Sequence, residues 1–204
     1  MTVGNTEALA WGDGDRGVVL AHGAAYDAAS WETQAEKIAE SGATVLAVED
    51  TSAGGVRAAA DHLKSERGAR SVCLVGASAG SSGVLDVGRR SPGEVAQIVL
   101  LSGSGDVSGL GDYPKLFAAS EGEGIAERVR RMAEQAPGDR NEALIVGGDA
   151  RAQAIFDTPQ GDRLLRTVSS RGCAGTVGPG ARRPRGPRPA ERSAEARAWY
   201  RTTP

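Results

Sequence analysis

The chain has 204 residues, of which 40% are apolar and 25% are charged, so it can form one packed domain with a short appendage but hardly two domains. Its 24 Lys and Arg residues nearly balance its 26 Asp and Glu residues, and no overall charge favours nucleic acid or an anionic membrane as a partner. No apolar run approaches the roughly 20 residues that span a bilayer, so we expect no membrane partner.

Short apolar runs alternate with helical patterns along most of the chain. The predicted elements, in chain order, are a strand at Val18–Ala21, a helix from Trp31 to Ala39, a strand at Thr44–Val48, a helix at Val56–Leu63, a strand at Ser71–Val75, a helix at Ala79–Val87, strands at Ala96–Leu101 and Lys115–Ala119, a helix at Ile125–Ala133 and a strand at Ala143–Val146. Strands separated by single helices pair in parallel through right-handed crossovers. We therefore predict an α/β fold, an open and mostly parallel sheet with helices on both faces, and a ligand at the carboxyl ends of its strands.

Residues 172–204 differ in character from the rest of the chain. They carry seven Arg and two Glu, a net charge of +5, which leaves −7 on residues 1–171. Five Gly and five Pro without periodic order cannot bury enough apolar surface to fold. We interpret residues 1–171 as the domain and 172–204 as a disordered tail. The tail is a solvated terminus without a role, or a basic arm, which is the one feature of the chain suited to nucleic acid or another acidic partner. A third alternative is that it is the product of a shifted reading frame in a GC-rich gene.

Two observations bear on the location of the protein. The first twenty residues lack a basic start followed by an apolar stretch, which is the pattern of a secretory signal. The chain has two cysteines, Cys73 and Cys173, too few for a disulfide scaffold. We therefore expect a cytoplasmic protein in a reducing environment.

The sequence Gly76-Ala77-Ser78-Ala79-Gly80 matches Gly-x-Ser-x-Gly between a predicted strand and a predicted helix. In such a turn the serine is strained and its hydroxyl projects, while the glycines leave room where strand and helix cross. The backbone N–H of Ala79 and the start of the helix then face an oxyanion formed at an attacked carbonyl group. The motif indicates a nucleophilic Ser78, and the alternative is a glycine-rich turn without chemistry.

A second motif, His22-Gly23, ends the first predicted strand, and the loop after it would supply the other oxyanion donor, Ala24 or otherwise Ala25. With these two motifs the chain resembles the α/β-hydrolase superfamily from about Val18 to Ser169, in particular small lidless bacterial hydrolases with a Leu-Ala-His-Gly loop. The resemblance implies that His22 supports the oxyanion loop through hydrogen bonds and does not act as the base.

The resemblance also implies an acid after a later strand. The stretch Phe117–Glu123 is similar to the segment where relatives carry Glu-Gly-Asp, and Glu123 occupies the Asp position. Its carboxylate would orient the imidazole of the base and stabilise the cation formed on proton transfer. Glu121 and Asp106 are weaker candidates, and Glu123 could instead merely favour the first turn of the next helix.

The base is where the chain departs from the family. The segment Val146–Phe156 resembles the family's final loop, in which His occupies the place held here by Arg151. Arginine stays charged near neutral pH and cannot accept the Ser78 proton. We expect Arg151 to pair with Glu123, and we expect His62, off the apolar stripe of its helix, to point to solvent far from Ser78.

These residues predict a serine hydrolase-type protein that acts on small carboxylic esters or thioesters through an acyl-Ser78 intermediate and is weak or inactive. The alternative is a non-catalytic hydrolase-fold protein in which Arg151 binds a ligand carboxylate. The pattern implies no metal and no organic cofactor. Gly103–Pro114 is too short for a helical cap domain.

Overall fold

A computed structural model of the chain describes residues 1–169. The predicted domain end at residue 171, the predicted tail 172–204 and Cys173 lie outside the described residues. The strands are β1 (Thr2–Val3), β2 (Thr6–Trp11), β3 (Arg16–Ala21), β4 (Ala43–Val48), β5 (Ser71–Ala77), β6 (Gln97–Leu101), β7 (Lys115–Ser120) and β8 (Asn141–Val146). The α-helices are α1 (Glu32–Glu40), α2 (Ala53–Ser65), α3 (Gly80–Arg90), α4 (Ala126–Gln135) and α5 (Gly161–Ser169). Short 3-10 helices cover Ala28–Trp31, Glu121–Glu123 and Ala152–Asp157.

The strands form one open sheet in the order β1-β2-β4-β3-β5-β6-β7-β8. The six strands from β4 to β8 in that order are parallel to one another, as the alternation of strands and helices predicts. The carboxyl ends of β3, β5, β6, β7 and β8 therefore meet at one edge. This edge carries all the segments that the sequence singles out for chemistry.

Side chains alternate between the two faces of the sheet and build two separate cores. Val19, Leu46 and Leu74 belong to the core under α2, α3 and α4. Val18 and Val75, their neighbours along the strands, belong to the core under α1 and α5. Helices thus cover both faces, because strands that are apolar on both sides need a layer on each.

The final helix completes the second core. Leu164 and Val168 on α5 are fully buried, and α5 packs against α1 and the 3-10 helix at Ala152–Asp157. In that 3-10 helix the Phe156 ring lies edge-on to Trp31, with the ring centroids 6.1 Å apart. This packing anchors the C-terminal side of the loop after β8.

The N-terminal strands β1 and β2 were not predicted. The antiparallel strand β2 pairs with β4, and β1 pairs with β2. A methyl group at Gly4 would lie 2.9 Å from Ala58 Cβ on α2, one helical turn before His62. His62 is partly buried, and its Nε2 atom is buried without a hydrogen-bond partner among the described residues. The expectation that His62 points to solvent is therefore wrong, and β1 packs on the same helix, α2.

Within residues 1–169, the helices are all too short or too polar to cross a bilayer. Cys73 on β5 is fully buried but is not a free thiol. The cysteine count therefore gives no support to a reducing environment, and the cytoplasmic location stays a prediction.

Candidate active site

Ser78 connects β5 to α3 in a left-handed backbone conformation. Its φ is 47°, and the other non-glycine residues with positive φ within residues 1–169 are Ser102 and Ala152. Its N–H donates to the Leu101 carbonyl over 2.8 Å, and its carbonyl accepts from Ser81 N over 3.0 Å. Ser78 is exposed, and its hydroxyl makes no hydrogen bond that involves another described residue. Two backbone bonds therefore hold a strained residue whose hydroxyl is free to react.

The two glycines of the motif are required by backbone crowding. A methyl group at Gly80 would lie 2.5 Å from the Ala21 carbonyl oxygen and 2.7 Å from that of His22. A methyl group at Gly76 would lie 2.8 Å from Ser81 Cα. Neither neighbour is a flexible side-chain end, so a larger residue at either position would displace α3 or β3.

The loop after β3 lies directly beside Ser78. A methyl group at Gly23 would lie 3.4 Å from Ser78 Cβ and 3.6 Å from Ala152 Cβ. Gly23 therefore sits between the serine and the residue that follows Arg151. The same loop turns back at Tyr26, whose N–H donates to the Gly23 carbonyl over 3.0 Å.

The candidate oxyanion donors are in this turn and in the Ser78 turn. Ala24, its alternative Ala25, and Ala79 are all exposed. Within residues 1–169 none of their N–H groups donates a hydrogen bond to the protein. These donors are accessible to a ligand, and their role in an oxyanion hole stays a prediction.

His22 is turned away from the serine. Its Nδ1 lies 2.9 Å from the Gly23 carbonyl oxygen, and its Nε2 lies 3.3 Å from that of Glu49 at the end of β4. The Glu49 carboxylate in turn accepts from Ala28 N over 3.1 Å. None of the hydrogen bonds of His22 involves Ser78, so its contacts fit a loop support and not a base.

The predicted acid, Glu123, is held by Ser102, a residue to which sequence analysis gave no role. Ser102, directly after β6, donates its hydroxyl proton to Glu123 Oε1. Burial raises the pKa of Glu123, against lowering by the Ser102 hydrogen bond and by the charge of Arg151. The second carboxylate oxygen, Oε2, is buried and has no hydrogen-bond partner among the described residues. One acceptor of Glu123 is thus available to a further donor.

Arg151 does not form the expected ion pair with Glu123. The side chain of Arg151 is exposed, and no ion pair of this residue is found within residues 1–169. The physical reason is burial: the free oxygen of Glu123, Oε2, is buried, while the exposed arginine reaches water and keeps its hydration. The acid is therefore not occupied by a salt bridge, although Arg151 is close enough for its charge to act on Glu123.

The two weaker acid candidates lie away from this network. Asp106 is exposed and accepts hydrogen bonds from Ser108. Glu121 is exposed at the start of the 3-10 helix that ends in Glu123. Neither carboxylate contacts Ser102 or Ser78 through a hydrogen bond.

The signal that could have found Ser102 is its place after a strand. Its left-handed φ of 51° and its partner Glu123, in the 3-10 helix after β7, depend on tertiary structure, which a single sequence does not show.

Comparison with known proteins shows relatives in structure and not in sequence. No family model and no curated protein matches the chain. A dienelactone hydrolase from Anabaena variabilis is similar with a TM-score of 0.65 and 20% identity over 82% of this chain and 92% of that one. An esterase from the bacterial hormone-sensitive lipase family has a TM-score of 0.63 and 15% identity over 83% of this chain and 81% of its own.

A third similar structure is a predicted CIB-like hydrolase from Thermoplasma acidophilum. Its TM-score is 0.58 and its identity 18%, over 82% of this chain and 93% of that one. These likenesses, the parallel sheet and the strand-to-helix turn at Ser78 agree on one architecture. The chain has the α/β-hydrolase fold.

Proposed function

We propose that the protein is a serine hydrolase of small carboxylic esters or thioesters, which acylates Ser78 and turns over slowly because Arg151 occupies the position of the base. The observation that carries this proposal is the exposed Ser78 at φ 47° between two crowded glycines. The similarity of the chain's fold to those of solved esterases and hydrolases supports the same class of reaction.

The reaction would proceed in two steps at the carboxyl edge of the sheet. The Ser78 hydroxyl would attack the ester carbonyl, and the N–H groups of Ala24 and Ala79 would bind the resulting oxyanion. Collapse of this intermediate would release the alcohol or thiol, and water would then hydrolyse the acyl-Ser78 ester. Both steps require a group that accepts a proton from the nucleophile and returns it to the leaving group.

No described side chain is placed to serve as that base. His22 is engaged with Gly23 and Glu49, and His62 lies on α2, outside this edge. Loss of the histidine from such a triad lowers turnover by about 10⁶, while the oxyanion hole and binding alone retain roughly 10³ to 10⁴ over water. We therefore expect residual activity of that size.

The loop between β6 and β7 bears on the substrate. Residues 102–114 contain no helix, so no cap from this loop covers the edge where Ser78 lies. An open edge favours a small acyl substrate that needs no enclosed lipid tunnel.

The proposal is tested by hydrolysis of p-nitrophenyl acetate. Arg151→His should raise kcat by roughly 10² to 10⁴, the usual contribution of a positioned general base. Arg151→Gln, which removes the charge without adding a base, is the matched control and should stay near the parent. Ser78→Ala in the Arg151→His background should remove the gain.

The proposal fails if Arg151→His gives no gain in a folded protein. It also fails if the parent already hydrolyses the ester at several per second, because an unidentified base would then exist.

A second function is favoured by the exposed guanidinium of Arg151. This cation has no ion pair within residues 1–169 and lies on the loop whose next residue packs beside Gly23 and Ser78. A non-catalytic protein would use it to bind a ligand carboxylate. This second function predicts that short carboxylates bind saturably, as measured by calorimetry, and that the protein does not turn them over. Arg151→Gln should weaken their binding at least tenfold.

A further inference from the structure

We propose that Ser102 is a positioning residue that fixes the acid Glu123 and the loop carrying position 151 in one geometry. The inference rests on the proposed function, since it assigns Ser102 to the site of that reaction.

The Ser102 hydroxyl joins two separate segments of the chain. It donates its proton to Glu123 Oε1 in the 3-10 helix after β7. It also accepts from the backbone N–H of Ala152, after β8, over 2.7 Å. A hydroxyl has one proton to donate and lone pairs to accept with, so this side chain makes both bonds at once. Ala152 directly follows Arg151, and the bond therefore fixes the backbone beside position 151.

Both residues that form this hydrogen bond, Ser102 and Ala152, have strained backbone conformations. Ser102 has φ 51° and Ala152 has φ 52°, in the left-handed region that side chains rarely adopt. Such residues persist only where the surroundings hold them, and they cluster at functional sites. Ser102 is held by its N–H, which donates to the Ala118 carbonyl on β7 over 2.8 Å. Both ends of this hydrogen bond are therefore strained, which fits a role at a functional site.

The Ser102 bond also directs the two oxygens of Glu123 to different tasks. Oε1 is taken by Ser102, and Oε2 is buried without a partner among the described residues. An imidazole at position 151 would need one free carboxylate oxygen to orient it. Ser102 thus fixes the Glu123 carboxylate through Oε1 and leaves Oε2 as an acceptor for the imidazole.

The first test measures the pKa of the Glu123 carboxyl by ¹³C NMR, with Glu123→Gln to assign the signal. The background is Arg151→Gln, so that no cation competes for the carboxylate. Ser102→Gly removes the hydroxyl and suits φ 51°, and it should raise the Glu123 pKa, because that hydrogen bond favours the charged form. Ser102→Ala removes the same hydroxyl and is the second variant if the first does not fold.

Ser120→Ala is the matched control for deletion of a hydroxyl. Ser120 donates its hydroxyl proton to the Ala150 carbonyl over 2.6 Å, so it holds the same loop. Its side chain makes no hydrogen bond to Glu123, and the backbone N–H of Ser120, which helps to lower the Glu123 pKa, is kept in the variant. The Glu123 pKa should therefore not move in this variant, and equal pKa values in the Ser102 and Ser120 variants would overturn the inference.

The second test measures ester hydrolysis in the Arg151→His background. Ser102→Gly should lower kcat by roughly 10- to 100-fold, as expected for loss of a hydrogen bond to a charged group, with KM changed little. An unchanged kcat would overturn the positioning role.

The two arms separate this inference from the proposed function. A raised Glu123 pKa without any gain from Arg151→His would uphold the Ser102 contact and defeat the hydrolase proposal. A gain from Arg151→His with an unmoved Glu123 pKa and an unchanged kcat in Ser102→Gly would defeat the positioning role alone.

Discussion

The turn at Ser78 and the side-chain positions 147 and 151 in the loop after β8 lie at the same edge of the sheet but are constrained very differently. At the turn, a methyl group on Gly80 would lie 2.5 Å from a backbone carbonyl oxygen. In the loop, a methyl group on Gly147 would meet nothing within 4 Å, and Arg151 is exposed. Packing therefore specifies the residues around Ser78, whereas position 151, the proposed position of the base, can change without disturbing the fold.

This contrast explains how an intact nucleophile turn can coexist with a residue that cannot act as a base. Substitution of an exposed side chain typically changes stability by no more than about 0.5 kcal/mol. Selection for folding alone would hold Gly76 and Gly80 in place and leave position 151 unrestrained.

The largest effect is expected at Glu123, the proposed acid. In the Arg151→His background, Glu123→Gln should remove most of the gain in kcat, a loss of roughly 10²-fold or more, because the imidazole loses its orienting carboxylate. Glu121→Gln, two residues earlier and exposed, is the matched control and should have little effect. Steady-state ester hydrolysis checks both variants. A larger loss of kcat in Glu121→Gln than in Glu123→Gln would show that the acid is Glu121 and not Glu123.

The next effect compares the two regions directly through stability. Gly80→Ala should lower the free energy of unfolding by roughly 3 kcal/mol, because the added methyl group meets backbone that cannot move away. Gly147→Ala should change it by no more than about 0.5 kcal/mol. Urea unfolding followed by circular dichroism measures both. Equal losses in the two variants would show that the regions are equally constrained.

The smallest effect tests the opposite end of β7, the strand that leads to Glu123. Lys115 is only 1% exposed, and its Nζ donates to the carbonyls of Tyr113 over 2.8 Å and Pro137 over 2.6 Å and to Asn141 Oδ1 over 3.3 Å. Burial lowers the pKa of Lys115 to about 8 from its ordinary 10.5. Between these values the unfolded chain binds the extra proton, so stability should rise with pH.

Urea unfolding at pH 8 and pH 9.5 checks this prediction. The free energy of unfolding should increase by roughly 1 to 2 kcal/mol more in the parent than in Lys115→Met, which lacks the titrating group. The same pH dependence in both proteins would show that Lys115 does not carry it.

Sequence reasoning succeeded where one local pattern has one structural solution. The parallel strands β3 to β8 and their helices follow from apolar periodicity, and Gly76 and Gly80 mark the turn because no larger residue fits. It missed β2, whose antiparallel pairing with β4 is long-range, and β1, which pairs with β2. It also missed the burial of the His62 Nε2 atom.

It also missed how the acid is held. The expected ion pair of Arg151 with Glu123 followed from charge and chain order, but the carboxylate binds Ser102, whose reach depends on the backbone at the end of β6. Which side chain reaches a buried carboxylate depends on the folded edge of the sheet, and no spacing along the chain shows it.

The most direct test of the central claim is the rate at which a fluorophosphonate labels Ser78, followed by intact-mass and peptide mass spectrometry. The parent, Arg151→Gln and Arg151→His are compared, with Ser78→Ala as the blank. We expect labelling at Ser78 alone, roughly 100-fold faster in Arg151→His than in the other two proteins. Equally fast labelling of the parent, or no labelling of Ser78 in Arg151→His, would contradict the account.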